Sequence, residues 1–379
     1  MVRIIINASA MIAFYLTLPL VLVAVIRLLV VLFNFLSKPY LPVSLPEGSP
    51  LVSVLVPARN EEANIANLLN GLQLQEYSNM EILVYNDEST DSTAAIVEEF
   101  ANADSRIRLI NGDSKPEGWM GKNYACHRLS EQARGDYFLF LDADVAVKPS
   151  FVGSSLAFLE SKRLTLLSMF PHQQMGTWGE RVTVPVMQWV LLSLLPLRFV
   201  MWSKRRSLAA ANGQVMLFDA HLYKQHQWHQ QFKDSAAEDI AISRGIKRAR
   251  LRMATLLGSD DVSCRMYHSY TDAVTGFAKN VCQYFGGNRM VMAVFALLST
   301  FGFIPVLYFV PFPLVFVYLF AKIFSRMLVA YLTFQKPLVN VLLQPLQQLA
   351  FLQMVWQSLK LHSGKELIWK GRAYSRESL

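Results

Sequence analysis

The chain has little cysteine and no repeated or low-complexity segment. Its 379 residues include three cysteines, Cys126, Cys264 and Cys282. An odd number of cysteines without metal-ligand spacing fits neither a disulfide framework nor a zinc site. This sparse use of cysteine is typical of a reducing compartment.

Hydrophobic residues make up 53% of the sequence and are concentrated at its two ends. That fraction is above the norm for soluble proteins and favours a membrane protein. The formal net charge is +8, with basic clusters at residues 204–206, 244–252 and 360–376. Nucleic acid is one partner for such clusters, but beside apolar segments they more often face anionic lipid on the cytoplasmic side. We therefore expect membrane lipids, and no nucleic acid, as partners.

Residues 1–37 are predicted to form an amino-terminal membrane anchor. The stretch 4–35 is almost continuously apolar and long enough to cross a bilayer as a helix. A cleaved signal peptide is the competing interpretation, but its apolar region would be shorter and followed by small residues. Arg27 lies near the end of the stretch, where it can reach the headgroups, and Lys38 follows, so the next segment is expected in the cytoplasm. Residues 38–50 contain four prolines and are predicted to be a linker.

Beyond the linker, short β-branched runs alternate with helical patterns. Strands are predicted at residues 51–56, 80–85, 107–111 and 137–141, each followed by a polar loop and, after the first three, by a helix. This alternation predicts a parallel α/β sheet with right-handed crossovers.

The predicted strands end in polar loops that carry charged residues. Asp142 and Asp144 follow the last of these strands one residue apart, which suits oxygen ligation of a hard divalent cation. Ligands bind an open parallel sheet at this same edge. Each residue alone is more often an ordinary loop residue, but together they predict a nucleotide-diphosphate site with a metal. The other members of the set are Arg59, Glu61, Asp87 and Lys122.

Four motifs carry a family resemblance: VSVLVPARNEE, NDESTDST, GWMGKNYAC and FLFLDADV. They resemble the amino-terminal half of the family-two glycosyltransferases with the GT-A fold, whose D-x-D motif binds Mg²⁺ or Mn²⁺ with a nucleotide sugar. The family usually has glycine where this chain has Glu88, so the loop after Asp87 is expected to bend differently. The resemblance implies that Asp144 is the principal metal ligand and that Asp142 lies near the ribose, phosphates and metal. It also implies that the nucleotide is bordered by Pro57, Arg59, Glu61 and Asp87. Lys122, in its loop at the same edge, can meet phosphate as a point charge.

The GT-A glycosyltransferase domain is expected to span residues 51–289. Within it, residues 182–206 are apolar, divided by prolines and basic at the end, which predicts a segment lying on the membrane surface. A strand is predicted at 212–218. In the resembling enzymes this region faces the acceptor, which implies an acceptor-side role for Gly213 and Gln214.

Glu238 and Asp239 begin a predicted helix. Two acids at a helix amino terminus most often serve the helix dipole and the cap. The resembling family has an acidic pair here whose aspartate is the proposed general base, which implies that role for Asp239. Glu238 is expected to disfavour ionisation of Asp239 and so to bring its pKa towards that of a working base.

Many processive family members carry a Q-x-x-R-W motif after this point, and this chain has none. Its absence indicates addition of a single sugar. Arg265 and Lys279 are candidates to neutralise the leaving diphosphate.

Residues 290–361 are predicted to form two or three membrane helices, and 362–379 a basic cytoplasmic tail. The apolar segments cover 291–310, 311–334 and 338–359. The middle one can span only if Lys322 and Arg326 reach the headgroups or find partners. The tail, with Trp369 and Arg372, makes the chain similar to carotenoid (diaponeurosporenoate-type) and hopanoid-associated membrane glycosyltransferases. Trp369 and Arg372 are therefore carried as acceptor-side or diphosphate-side candidates.

The resemblance implies a multi-pass membrane protein with a cytoplasmic catalytic domain. The implied reaction is inverting transfer of one glucose from UDP-glucose to a carotenoid carboxylate or hydroxyl in the lipid phase, beside neighbouring pathway enzymes. A hopanoid, a diacylglycerol or a polyprenyl phosphate is the alternative acceptor. A catalytically silent membrane scaffold is the non-enzyme alternative.

Overall fold

The computed structural model describes the backbone of residues 2–362, 367–369 and 372–374, and the side chains of residues 11–361. The chain divides into two compact units. The helical unit comprises Met1–Lys38, Met175–Pro196 and Tyr267–Ser363. The sheet unit comprises Pro39–Gln174, Leu197–Met266 and Gly364–Leu379.

Strands and helices alternate through the sheet unit, whereas the helical unit contains helices alone among its described residues. The strands are β1 Val52–Ala58, β2 Met80–Asn86, β3 Ile107–Asn111, β4 Tyr137–Leu141, β5 Val145–Val147, β6 Leu166–Phe170, β7 His172–Gln173, β8 Val215–Asp219, β9 Met253–Leu257, β10 Val262–Cys264, β11 Leu367–Trp369 and β12 Arg372–Tyr374. The helices are α1 Val2–Ser37, α2 Ile65–Gln73, α3 Thr93–Ala103, α4 Gly121–Gln132, α5 Phe151–Lys162, α6 Trp178–Leu194, α7 Leu197–Trp202, α8 Ala220–His226, α9 Trp228–Gln231, α10 Glu238–Arg248, α11 Tyr270–Tyr284, α12 Arg289–Phe301, α13 Phe303–Phe309, α14 Phe312–Leu332, α15 Pro337–Leu342 and α16 Gln344–His362. A short 3₁₀ helix covers Arg206–Leu208.

The main sheet has seven strands in the order β3-β2-β1-β4-β8-β6-β9. The four strands predicted from the amino-terminal half are confirmed, and β1, β2, β3 and β4 pair in parallel. The parallel pairing does not extend to β8, which runs antiparallel to both β4 and β6. Hydrophobic runs identify strands but do not encode their direction, so the sequence could not show this.

The reversed strand β8 matters for the site. Its register pairs Tyr137 with Asp219 and Leu141 with Val215, so β8 begins where β4 ends. The residues that precede β8 therefore lie beside those that follow β4. A separate three-stranded sheet has the order β5-β10-β7, and β11 pairs with β12 as a two-stranded hairpin.

The core of the sheet unit explains why these segments fold as they do. The six residues Val52–Val56 and Ala58 of β1 are buried, as expected for a strand covered by helices on both faces. Ile65, Leu68, Leu69 and Leu72 form the buried face of α2 at the predicted helical spacing.

The helical unit contains two helices that are long and apolar enough to cross a membrane, Met11–Ser37 and Phe312–Leu332. A third candidate is the pair α11 and α12, which is bent by 113°. The predicted segment 291–310 is divided between α12 and α13, because the helix is interrupted at Gly302. The segment 338–359 is divided between α15 and α16, and among the described helices α16 is not apolar enough to count, in keeping with its many glutamines.

Two arginines of the helical unit contact one tryptophan. The guanidinium carbons of Arg27 and Arg326 each lie 4.0 Å from the ring centroid of Trp189 on α6. Arg27 also donates to Ser193 Oγ at 2.6 Å, and Arg326 to Gln347 Oε1 at 2.7 Å. The expectation that Arg27 reaches the headgroups is therefore wrong in this structure, because polar and aromatic groups of the same unit bind it.

The predicted surface segment 182–206 is divided between the two units. Most of α6 after Thr183 is buried by other helices of its own unit, and α7 belongs to the sheet unit. Contact of this segment with the membrane surface stays a prediction.

Candidate active site

Four stretches of the sheet unit meet at the end of β4. Asp142 and Asp144 follow that strand, and Gly213 and Gln214 precede β8. The amino termini of α4 and α10 bring further charged side chains. Two of these stretches meet because Asp142 N donates to Gln214 O at 3.1 Å, which extends the antiparallel pairing of β4 and β8 into the loops.

Lys122, in the first turn of α4, is the centre of this cluster. Its Nζ lies 2.7 Å from Asp142 Oδ1 and 3.3 Å from Glu238 Oε1, and it donates to Gly213 O at 3.0 Å. Burial disfavours the ammonium charge, but Asp142 and Glu238 outweigh this and raise the pKa of Lys122 well above its usual value. Lys122 is therefore a fixed cation that joins the D-x-D loop to α10.

Asp239 lies in the first turn of α10, where sequence analysis placed it. Its Oδ2 accepts from Gly213 N at 3.0 Å, and its Oδ1 accepts from Ile240 N at 2.7 Å. Burial of the carboxylate raises the pKa of Asp239 to about 7, and the charge of Glu238 contributes to the rise. The side chain is only half-buried, so an external group can reach it. A carboxylate with this pKa can exchange a proton near neutral pH.

Gly213 is required by the close packing of these charges. A Cβ at this position would lie 2.7 Å from Glu238 Oε1 and 3.1 Å from Lys122 Nζ. Its N–H binds Asp239 and its carbonyl binds Lys122. The backbone of Gly213 thus links Asp239 on α10 to Lys122 on α4.

Asp144 contacts the side-chain amide of Gln214. Gln214 Nε2 lies 3.3 Å from Asp144 Oδ1 and 3.5 Å from Oδ2, and it also contacts Cys264 Sγ at 2.7 Å. Gln214 is buried and Asp144 half-buried, so the amide orients the carboxylate. The roles of Asp144 and Asp142 as metal ligands stay a prediction.

A second part of the predicted site lies at the ends of β1 and β2. Arg59 Nη1 donates to Asp87 O at 2.7 Å and lies 3.7 Å from Glu88 Oε2. Glu88 has φ +53°, in the left-handed region that glycine favours. The loop thus adopts the backbone conformation that a glycine would take, although the sequence led us to expect a different bend.

Pro57 and Glu61 are also at this strand end. Pro57 lies in β1 opposite Tyr85 of β2. Glu61 N donates to Thr93 Oγ1 at 2.8 Å, and its carboxylate accepts from Asn64 Nδ2 at 2.8 Å. These bonds connect the loop to α3 and α2, and contact of either residue with a nucleotide stays a prediction.

The remaining candidates lie on other elements, and their roles stay predictions. Arg265 follows β10, and Lys279 lies on α11 of the helical unit. Trp369 and Arg372 face each other in the register of β11 and β12, and their side chains lie outside the described residues, as does most of the predicted basic tail 362–379.

Sequence reasoning missed Asn123, which positions the segment before α10. Its Nδ2 donates to the carbonyls of Phe232 at 2.9 Å, Lys233 at 3.2 Å and Ser235 at 2.9 Å. Asn123 is 1% exposed and directly follows Lys122. The same turn of α4 therefore contacts the D-x-D loop through Lys122 and the segment before α10 through Asn123. The signal available in the sequence was a polar residue directly after Lys122 in the motif GWMGKNYAC.

Comparison with known proteins identifies the class of this domain. Residues 53–232 match the family described as Glycosyl transferase family 2. The chain therefore carries a glycosyl transferase family 2 domain, and the predicted family is confirmed.

Two relatives have the same name, 4,4'-diaponeurosporenoate glycosyltransferase. The relative from Staphylococcus haemolyticus is 25% identical over 239 residues, which cover 62% of this chain and 62% of the relative's own length. The relative from Staphylococcus aureus strain MRSA252 is 24% identical over 341 residues, which cover 86% of this chain and 88% of that protein.

Among solved structures, the fold is similar to that of the mannosyltransferase PcManGT from Pyrobaculum calidifontis in complex with GDP-Man and Mn²⁺. The TM-score is 0.54 at 17% identity, over 92% of this chain and 98% of the other. This likeness confirms the predicted GT-A fold class.

Proposed function

We propose that this chain is an inverting glycosyltransferase that moves one sugar, glucose from UDP-glucose, to a membrane isoprenoid. The acceptor is a carboxylate or hydroxyl of a carotenoid. The observation that carries the proposal is the contact chain from Asp142 through Lys122 and Gly213 to Asp239. It joins a donor-side carboxylate to a base with a pKa of about 7.

On the donor side, the strand-end residues are suited to a nucleotide. Asp87 is buried at the end of β2, where a carboxylate can accept hydrogen bonds from a base or ribose. Arg59 adds a half-buried cation at the same strand ends. Lys122, held against Asp142, can meet phosphate as a point charge.

The residues present fit a divalent cation held together with a diphosphate. Among the described residues, no group of three or more histidine, cysteine or acidic side chains is placed to hold a metal. Asp144, with Asp142, would supply one or two carboxylate ligands, and donor phosphates and water the others, as Mg²⁺ sites often do. When bound, Mg²⁺ or Mn²⁺ would stabilise negative charge on the leaving diphosphate.

Asp239 is proposed to take the proton of a hydroxyl acceptor as that oxygen attacks the anomeric carbon from the face opposite the diphosphate. The hydrogen bonds from Gly213 N and Ile240 N fix the orientation of its carboxylate. A carboxylic acid acceptor is already ionised at pH 7, so it needs little help from a base. The shared name of the two relatives favours a carotenoid acid as acceptor.

The two helices able to cross a membrane support a lipid-phase acceptor and a multi-pass membrane location. A cytoplasmic catalytic domain and contact with neighbouring pathway enzymes belong to the same proposal. A diacylglycerol acceptor is the second candidate. It is favoured by a beta-monoglucosyldiacylglycerol synthase from Nostoc that is 36% identical over 104 residues, which cover 27% of this chain and 22% of that protein.

The test is sugar transfer by membranes that contain the full chain. Radiolabelled UDP-glucose and GDP-mannose are supplied with Mn²⁺ or Mg²⁺ to carotenoid acids, hydroxycarotenoids, hopanoids, diacylglycerol and polyprenyl phosphate. Asp144→Ala is compared with the wild type. Asp260→Ala is the matched control, because the side chain of Asp260 is 79% exposed and lies outside the cluster.

Label that moves to a carotenoid with the wild type and Asp260→Ala, but not with Asp144→Ala, supports the proposal. Label on diacylglycerol or another lipid alone would support the proposed transfer reaction but show that the acceptor is not a carotenoid. No transfer from either donor would favour the scaffold alternative.

A further inference from the structure

A second charged site lies in the sheet unit, apart from the cluster around Lys122. A pocket of about 820 Å³ is lined by the loop after α7 and the carboxyl end of α10. Six cationic residues line it: the buried Lys247 and five others, Lys204, Arg205, Arg206, Arg248 and Arg250. They come from two stretches of sequence that the fold brings together.

The pocket has an excess of positive charge. No aspartate or glutamate is among its described lining residues, and none of the ion pairs found between described residues involves the five cations. Arg248 alone could be explained by the dipole at the end of α10. That dipole does not explain the three consecutive cations 204–206, so the whole set indicates an anionic ligand.

A buried lysine fixes the two walls of the pocket relative to each other. Lys247 is 3% exposed, and its Nζ donates to the carbonyls of Val200 and Ser203. This lysine, on α10, therefore holds the end of α7 and the basic loop that follows it. The cations belong to a built site rather than to a free loop.

Arg250 occupies a backbone position that normally favours glycine. Its φ is +60°, and it ends α10 with hydrogen bonds from Arg250 N to Lys247 O and from Leu251 N to Ile246 O, both at 3.1 Å. This is the Schellman arrangement, in which glycine is the usual residue. An arginine there is strained relative to glycine, so Arg250→Gly can remove the side chain without destabilising the end of the helix.

Exposed aromatic residues at the same pocket favour a membrane lipid as the source of the anion. Trp202 is 62% exposed and Phe199 is 39% exposed, and their ring centroids are 5.7 Å apart. Aromatic rings beside cations are typical of the membrane–water interface. The two helices able to span a membrane would keep this chain close to lipid.

We propose that the pocket formed by Lys204, Arg205, Arg206, Arg248 and Arg250 binds the phosphate of an anionic lipid head group. This site is separate from the proposed donor and acceptor chemistry, so it can be tested without measuring sugar transfer.

The test measures binding of fluorescent dioctanoyl phosphatidylglycerol to the purified full chain in detergent micelles. Dioctanoyl phosphatidylcholine, inorganic phosphate and a single-stranded oligonucleotide serve as competitors. Each cation near anionic lipid contributes about fivefold in affinity. Arg250→Gly should therefore weaken binding about fivefold, and Arg248→Gln with Arg250→Gly about 25-fold.

Arg163→Gly is the matched control. Arg163 is exposed and ends α5 at φ +50° through the same pair of hydrogen bonds, from Arg163 N to Glu160 O and from Leu164 N to Leu159 O. Both substitutions place glycine where glycine fits, so the melting temperature should stay or rise in both. A loss of binding with Arg250→Gly then cannot come from unfolding.

Phosphatidylglycerol binding that is weakened by the pocket variants alone, and that phosphatidylcholine does not displace, supports the proposal. Unchanged binding in the double variant, or an equal loss with Arg163→Gly, overturns the site. If inorganic phosphate competes at the same concentration as the lipid, the pocket binds free phosphate and the lipid proposal is overturned. If the oligonucleotide competes more strongly than the lipid, the pocket binds nucleic acid and the lipid proposal is likewise overturned.

Discussion

The pKa of Asp239 gives the most direct check on the proposed base. With a pKa of about 7, the carboxylate is about 10% ionised at pH 6 and about 90% ionised at pH 8. If Asp239 takes the proton of a hydroxyl acceptor, kcat/KM should rise about tenfold between these two pH values. An aspartate with its ordinary pKa of 3.8 would give a flat profile in this range.

The assay compares a hydroxycarotenoid with a carotenoid acid under the same metal and donor concentrations. The acid is ionised throughout this range and supplies the internal control, so its profile should stay nearly flat. Asp239→Asn should slow transfer to the hydroxyl acceptor more than transfer to the acid. Equal losses with both acceptors would refute the assignment of Asp239 as base.

The neighbours of Asp239 should move this profile in opposite directions. Glu238→Gln removes a charge that raises the pKa of Asp239, so the midpoint should fall by about one pH unit. Lys122→Met removes a charge that lowers that pKa, so the midpoint should rise. A midpoint that stays in place in both variants would show that another group controls the profile.

Thermal unfolding provides an independent reading of the same carboxyl group. The folded chain favours the protonated acid, because burial raises the pKa of Asp239 from 3.8 to about 7. The stability that this group contributes is fully present below pH 4 and is lost as the pH rises through 7. Asp239→Asn should therefore unfold at a higher temperature than the wild type at pH 8, with a smaller difference at pH 4.

Three further substitutions test the packing. Gly213→Ala should reduce kcat at little cost in stability, because its Cβ would lie 2.7 Å from Glu238 Oε1. Gly48→Ala is the control, since its Cβ would meet only Pro50 Cδ at 3.7 Å, and it should leave kcat unchanged in the same transfer assay. Glu88→Gly should raise the free energy of unfolding by about 1 kcal/mol in denaturant titrations, because glycine relieves the backbone at φ +53°. Trp189→Leu should lower the melting temperature, with a loss of about 3 kcal/mol, since two arginines lose the ring they contact at 4.0 Å.

Local features of the sheet unit could be predicted from sequence. The strand β1, the helix α2 and the start of α10 at Glu238 follow from periodicity and helix-end chemistry, which act between residues close together in the chain. The candidate site residues at the strand ends could also be predicted, because the carboxyl ends of parallel strands lie at one edge of the sheet.

The contacts that organise the site could not be predicted. Lys122 meets Glu238 across 116 positions of sequence, and this depends on the direction of β8 and on the loop that Asn123 binds. Neither is encoded in a hydrophobic pattern. The same holds for Gln214, whose amide contacts both Asp144 and Cys264.

The helical unit shows a different limit. Apolar length predicted α1 and α14 correctly, but not the break at Gly302 or the contacts of Arg27. Hydropathy measures how well a segment tolerates lipid. It does not say whether an arginine inside the segment finds a polar partner on another helix.

The charge at the site leads to a last prediction about the donor. Lys122 Nζ lies 2.7 Å from Asp142 Oδ1 and 3.3 Å from Glu238 Oε1, so one ammonium faces two carboxylates there. A nucleotide diphosphate adds more negative charge, and under the proposed function a divalent cation offsets the repulsion. UDP-glucose should therefore bind the full chain at least about tenfold more weakly in EDTA than with Mn²⁺ in a calorimetric titration. Asp144→Asn should bring the affinities for UDP-glucose with Mn²⁺ and in EDTA closer together, because it removes a proposed metal ligand and one negative charge. Equal wild-type affinities with and without metal would show that the D-x-D loop does not hold a cation.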